Sequence, residues 1–513
     1  MRHYQKTIPA GILYLCMLLL PLHTAFAQDL ESFEEKVTEF TLDNGLHFII
    51  IERPVAPVAS FVTFVDVGGA NEPVGNTGIA HIFEHMAFKG THYIGTTDWE
   101  NEKKAIEEVE EAYQAWLREK RSAGTDSEKL EQLWKNFEDA QEKAKKYVVN
   151  NEFSQIIQNN GGVGLNAFTS ADATGYFYSL PQNRAELWFN LEADRFKNPV
   201  FREFYVEKDV VMEERRMRTD SNPVGRLIEE FLAVAYTAHP YGNPVVGWPS
   251  DIESTTISDA EKFYDTFYVP GNITISIAGD VDPDEMKRLA NQYFGDMPAG
   301  EPVPKLNTKE PGQRGERRFI IEEESQPFLL TGYHTVDQMH EDAAPLQLLG
   351  SVISEGRTSI LYKKLVEDEK LALAVQAFNG FPGTKYQSMF LTFAVPNQGV
   401  AIEDVEDAIL EEIEAVKNGS ITQEELDRAI TNARANLVRG LASNNGLALR
   451  FAQTHAQQGN WRKVFTSIEE LQSVTLDDLQ RVANEYLTQQ NRTVGMIVNK
   501  QAQQDVADAR ENQ

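Results

Sequence analysis

The sequence predicts an α+β fold: two homologous α/β-sandwich halves, each a mixed or antiparallel sheet with helices packed on one face, with a helical hairpin inserted in the first half. Three observations predict it. The stretch from Thr256-Ile257-Ser258-Asp259 to Asn272-Ile273-Thr274-Ile275 matches that from Thr475-Leu476-Asp477-Asp478 to Asn491-Arg492-Thr493-Val494 at a constant offset of 219, without a gap. It pairs Asp259 with Asp478, Phe267 with Tyr486 and Asn272 with Asn491, and each copy reads as helix, turn, strand. Runs of β-branched and aromatic residues alternate with helical patterns, and Phe319-Ile320-Ile321 echoes Phe48-Ile49-Ile50. Residues 98–150 switch to charged, purely helical spacing.

In chain order, residues 1–27 read as a secretory signal peptide, with Arg2, His3 and Lys6 before the apolar run Ile12 to Leu20 and Ala25-Phe26-Ala27 as cleavage site. The only cysteine, Cys16, lies within it, so the mature chain has no thiol and owes nothing to disulfides. Removing 27 of 513 residues leaves 486, too many for one core, and takes the net charge from −30 to −32 because Arg2 and Lys6 go with the signal. So acidic a chain is not expected to bind nucleic acid or an anionic membrane. Residues 28–296 form the first half, 297–316 a Pro- and Gly-rich linker, and 317–513 the second half.

Asp43-Asn44-Gly45 between alternating residues signals a hairpin. Phe48 to Ile51, Ala59 to Val65, Tyr176 to Ser179 and Ile273 to Asp280 read as strands. Arg184 to Phe196, a stretch from about Phe201, and one from Pro283 capped by Asp282 read as helices. In the hairpin, Ile106, Val109, Tyr113, Trp116 and Leu117 share a stripe, as do Leu130, Leu133, Trp134, Phe137, Ala140, Ala144 and Tyr147, with Gly124-Thr125-Asp126-Ser127 between them; this stripe suits helix–helix packing.

The chemistry concentrates in Gly78-Ile79-Ala80-His81-Ile82-Phe83-Glu84-His85-Met86-Ala87-Phe88. On a helix His81 and His85 are i and i+4, so both imidazoles leave one face and suit a single Zn²⁺ at about 2.0–2.1 Å each. Glu84 stays on the same side, free to reach a water on the metal. Two histidines on a helix are also found as ordinary surface or core residues, so H-x-x-E-H gains weight only from its context. A catalytic zinc usually takes a third protein ligand, and the Glu-rich helix with Glu203, Glu207, Glu213 and Glu214 is the best source.

H-x-x-E-H is the inverzincin signature, and the chain resembles the pitrilysin, insulin-degrading enzyme and mitochondrial processing peptidase family over nearly all of its mature length, strongly in the first half and weakly in the second. The resemblance places the third ligand at the end of E-x6-E, here Glu207 to Glu214, which implies Glu214 as ligand over its neighbour Glu213 and Glu207 as the acid that orients a ligand. It implies Asn166-Ala167-Phe168-Thr169 as the substrate-binding edge strand; Asn166, Ala167 and Phe168 would hold an extended peptide by main chain, where the residues alone suggest a turn at Asn166. The interval from His85 to Glu214 exceeds the family's by nearly the length of the hairpin, an insertion that need not touch the zinc.

The resemblance implies a zinc-dependent endopeptidase acting on peptides or unfolded polypeptides, with one Zn²⁺ on His81, His85 and Glu214 and Glu84 as general base. The counterpart of the metal helix, near Ala344 to Ile353, has no His. The family's Arg and Tyr, which hold the substrate carbonyl, are absent: Val366 and Leu373 stand at their places, and service by nearby Arg357 and Tyr362 is the less favoured alternative. This implies a heterodimer with a zinc-less paralogue that supplies them, exported to the bacterial periplasm. The competing readings are a non-catalytic peptide-binding or scaffold subunit, and a metal hydrolase of non-peptide substrates.

Overall fold

A computed structural model describes residues 33–499; the signal-peptide reading of residues 1–27 lies outside them. Among the described residues eleven strands form two sheets. The first has order β1-β2-β6-β3-β5-β4, from β1 (Val37–Thr41), β2 (His47–Glu52), β3 (Val58–Val65), β4 (Val163–Thr169), β5 (Thr174–Pro181) and β6 (Ile273–Gly279). The second has order β7-β11-β8-β10-β9, from β7 (Arg317–Glu322), β8 (Phe328–His334), β9 (Ala372–Phe381), β10 (Met389–Pro396) and β11 (Arg492–Val498). Each contains one parallel pair, β2–β6 and β7–β11, and is otherwise antiparallel. The orders superimpose strand for strand once β1 is set aside.

The repeat is also visible atom by atom. α6 (Ile257–Phe267) and α8 (Leu476–Tyr486) open on the same capping box, with Thr256 Oγ1 2.7 Å from Asp259 Oδ2 and Thr475 Oγ1 2.6 Å from Asp478 Oδ2. After each helix an asparagine amide donates to its last turn: Asn272 to the Phe267 carbonyl and Asn491 to that of Tyr486, both at 2.9 Å. The three residue pairs read from the sequence thus make equivalent bonds.

In the first half the site helix α1 (Ile79–Met86) packs with α6 and others on one face of the sheet, over a core with Phe48, Phe61, Ile82, Phe83, Tyr176, Trp188 and Phe263. The opposite face is covered from the other half. α7 (Asn444–Gln458) lays Leu447, Ala448, Phe451 and Ala452 on Ile49, Ile51, Val62 and Phe64. In return α5 (Pro223–Ala235) places Leu227 and Phe231 against Leu330, Leu391 and Ile497 of the second sheet. Each half keeps its own helices on one face and lends one helix to the other, which explains why β3 after its first residue and all of β6 are buried on both faces, the Thr and Ser of the alternating Ile-Thr-Ile-Ser-Ile included. Among the described residues no helix is long and apolar enough to cross a membrane.

The hairpin forms as α2 (Trp99–Lys120) and α3 (Ser127–Ala144), with Asp126 capping the second. Its stripe packs aromatic on aromatic, Tyr113 and Phe137 lying against Tyr205. It is anchored more deeply than a surface addition: Glu102 is fully buried and paired with Arg202, whose guanidinium also donates to the carbonyls of Lys89, Thr91 and Ile94 in the loop after α1.

Candidate metal centre

α1 starts at Gly78, whose φ of +88° and close contacts exclude a side chain: a Cβ would lie 2.6 Å from the Val246 carbonyl. Its first turn has no acid of its own, and Glu72 fills that role. The half-buried Glu72 carboxylate accepts from the backbone N–H of Gly78 and Ala80, each at 2.9 Å. Burial pushes its pKa up to about 8, with the two N–H bonds pulling the other way.

The helix presents His81 and His85 side by side, rings 5.0 Å apart and nearly perpendicular. α4 (Phe204–Arg215) crosses behind them and brings Glu214 in. Glu214 Oε2 lies 3.6 Å from Nε2 of His81 and 3.6 Å from Nε2 of His85. Glu213 points elsewhere, half exposed and paired with Arg216. A tetrahedral ion with bonds of about 2.0–2.1 Å spaces its donors roughly 3.3 Å apart, so the three atoms already stand close to ligand spacing. Two imidazole nitrogens and one carboxylate oxygen form the mixed donor set that zinc favours. Burial lowers the His81 pKa to about 4 against the pull of Glu214, leaving its ring neutral with a lone pair to give.

The supporting shell is in place. His85 Nδ1 stands 3.2 Å from Glu207 Oε2; a proton held there leaves the Nε2 lone pair facing Glu214. Glu207 Oε1 is 2.6 Å from Lys89 Nζ, which also reaches Glu203 Oε2 at 2.9 Å. Burial alone would lower the His85 pKa, but the bond and charge of Glu207 raise it overall. Glu84 accepts a 2.6 Å hydrogen bond from Thr169 Oγ1 at the end of β4, and burial raises its pKa against that bond.

β4 pairs only with β5, so its outer edge is open beside Glu84. Asn166 and Ala167 line the cleft next to the histidines. Phe168 turns its ring toward Phe64 and is not among the residues that line the cleft. The cleft, about 290 Å³, is lined by the first half alone; the return segment of the hairpin, Val148 to Glu152, forms part of its wall. The insertion therefore borders the site. Sequence reasoning missed Glu72, Lys89, Arg218 and the contact from Thr169 to Glu84. Thr169 had a signal, since it follows Ala167 by two and so shares its face of the strand.

A second group, Glu39, His47 and His455, brings one potential ligand atom from each within 4.8 Å. The His47 and His455 rings lie flat on each other, 3.7 Å apart and 6° from parallel. Their in-plane lone pairs therefore run side by side and do not converge on one ion.

Comparison with known proteins agrees with this geometry. The sequence model described as Insulinase (Peptidase family M16) matches residues 47–113 and 140–248, and that described as Peptidase M16 inactive domain matches 254–433. The chain belongs to the M16 family. The M16 match spans the histidines, β4 and α4 and passes over 114–139, the tip of the hairpin. A curated relative, Zinc protease PqqE of Helicobacter pylori, is 29% identical over 464 residues, covering 89% of this chain and 91% of its own length. The crystal structure of a protease from Helicobacter pylori superimposes with a TM-score of 0.75 at 27% identity, over 90% of this chain and 99% of that one. The periplasmic protease PqqL of Escherichia coli shares the fold, with a TM-score of 0.66 at 16% identity; 93% of this chain covers only 50% of it.

Proposed function

We propose that the chain is a zinc-dependent endopeptidase of peptides or unfolded polypeptides, with zinc held by His81, His85 and Glu214. The observation that carries this reading is the convergence of two imidazole Nε2 atoms and Glu214 Oε2 from separate helices, with the Glu84 carboxylate beside them. A zinc ion there would act as a Lewis acid, polarising the scissile carbonyl and acidifying the attacking water. Glu84 takes the water's proton and passes it to the leaving amine, its carboxylate aimed by Thr169. Glu207 keeps the His85 ring turned, and Lys89 keeps Glu207 in place. The open edge of β4 pairs with the substrate backbone and leaves side chains to pockets.

The cleft is lined by the first half alone, and Val366 and Leu373 replace the expected Arg and Tyr. Both facts support a heterodimer in which a zinc-less paralogue supplies the missing groups. The half-length coverage of PqqL supports the same pairing, and the periplasmic location of that protease, with the signal-like residues 1–27, supports export. The match of residues 254–433 to the inactive-domain model fits a second half without a metal site of its own, and the competing reading is a peptide-holding subunit without turnover.

The test is metal analysis with cleavage of a quenched peptide library, by the chain alone and with its paralogue. One zinc per chain and cleavage are expected, with Glu84→Gln keeping the zinc and losing turnover by about 10²-fold or more. A full-rate Glu84→Gln protein rejects the base role. Zinc binding without cleavage in either setting selects the peptide-holding subunit, and full activity from the monomer rejects the partner.

A further inference from the structure

We propose that Arg218 makes this site selective for peptides with an Asp or Glu side chain next to the scissile bond, an inference that rests on the peptidase reading. α4 runs on past Arg215 into a π-helical turn, Arg216–Asp220, and Arg218 sits there four residues after Glu214. Its Nη2 lies 2.9 Å from Glu214 Oε1, the oxygen turned away from the histidines, yet the side chain is 73% exposed. The guanidinium thus touches the carboxylate that faces both histidines while most of its fork of five N–H donors faces solvent.

The other cations around the site are engaged. Lys89 is shared between Glu203 and Glu207, Arg202 is buried on Glu102, Arg215 is buried on Glu229, and Arg216 is paired with Glu213. Only the Arg218 end of this i,i+4 pair is exposed, and its free N–H groups let it share Glu214 with a second carboxylate. Arginine binds carboxylates in a two-pronged geometry that lysine cannot copy. In a chain of net charge −30, an acidic peptide is repelled at long range, and an exposed cation bonded to the Glu214 carboxylate is a local feature that favours an acidic residue there.

The experiment compares matched quenched peptides carrying Glu, Gln or Lys at each position flanking the cleavage site, using the zinc-loaded chain with its paralogue where that is required. The Glu-to-Gln ratio of kcat/KM is expected to be about tenfold at one position, to fall to near one in Arg218→Ala, and to invert in favour of Lys in Arg218→Glu; zinc content is measured in parallel. Arg218→Glu cleaving all three peptides in the wild-type ratio overturns the proposal. If the wild type cleaves no peptide of any charge, it is the peptidase reading that fails. Arg218 is then judged by peptide binding to Glu84→Gln and Glu84→Gln/Arg218→Glu proteins. A Glu peptide bound about tenfold more tightly than its Gln match only when Arg218 is present supports an acidic subsite, and equal binding overturns it.

Discussion

Replacing Glu102 with Ala should destabilise the first half by about 3–5 kcal/mol, because it leaves a guanidinium buried without its counter-charge. Glu102 is fully buried and Arg202 is 1% exposed, and the carboxylate takes two of the five N–H groups of its partner. The remaining donors hold the carbonyls of Lys89, Thr91 and Ile94, so the uncompensated charge would sit in the loop that leaves α1. That loop has no slack. Gly90 and Gly95 adopt φ of +91° and +87°, and a Cβ at Gly95 would lie 2.6 Å from Arg202 Nη1. For a unit of 150–250 residues each kcal/mol moves the melting temperature by about 2–4 °C, which puts the expected drop on the order of 10 °C in calorimetry of the zinc-free protein. Glu102→Gln keeps the shape and one acceptor and should fall between. Because the loop carries Lys89, which steadies Glu207, the Ala variant should also release zinc more readily to a chelator. A melting temperature within about 2 °C of wild type would refute the argument and mean that water or a rearranged loop neutralises Arg202.

Three further outcomes follow from single contacts. Glu207→Ala should weaken zinc binding about 10–100-fold in chelator competition, since His85 loses the group that orients its ring; unchanged affinity would remove Glu207 from the site. Thr169→Val should keep its zinc but slow turnover, losing a hydrogen bond to a charged group, about 1.5–3 kcal/mol, or roughly 10–150-fold; full activity would show that Glu84 needs no such aim. His47 makes stability fall in acid. Burial, then the charge of His455, lower its pKa to about 4, with Glu39 opposing; Thr41 and Arg462 complete its surroundings. Since the folded value lies below the ordinary 6.5, the unfolded chain takes up the proton first; the contribution is whole above pH 6.5, erodes as the pH falls and is gone near pH 4. Urea midpoints of wild type and His47→Gln between pH 7.5 and 4.5 check this, and identical slopes would contradict it.

The local features of this protein were legible in its sequence because they are set within one or two turns of chain. Two histidines four apart must share a helix face, Glu207 and Glu214 must share another, and Thr256 and Thr475 each carry their own cap three residues on. The same locality made the repeat readable, since both copies carry the same short-range instructions. What the tertiary structure alone decided are the meetings between distant segments: that Thr169 reaches Glu84, that Arg202 is tied to Glu102, and that α5 and α7 are exchanged between the halves. Periodicity fixes which side of an element a residue occupies, but not which other element that side will meet. That choice is made by burying apolar surface across the whole fold, a sum over residues far apart in the chain that no short window of sequence contains.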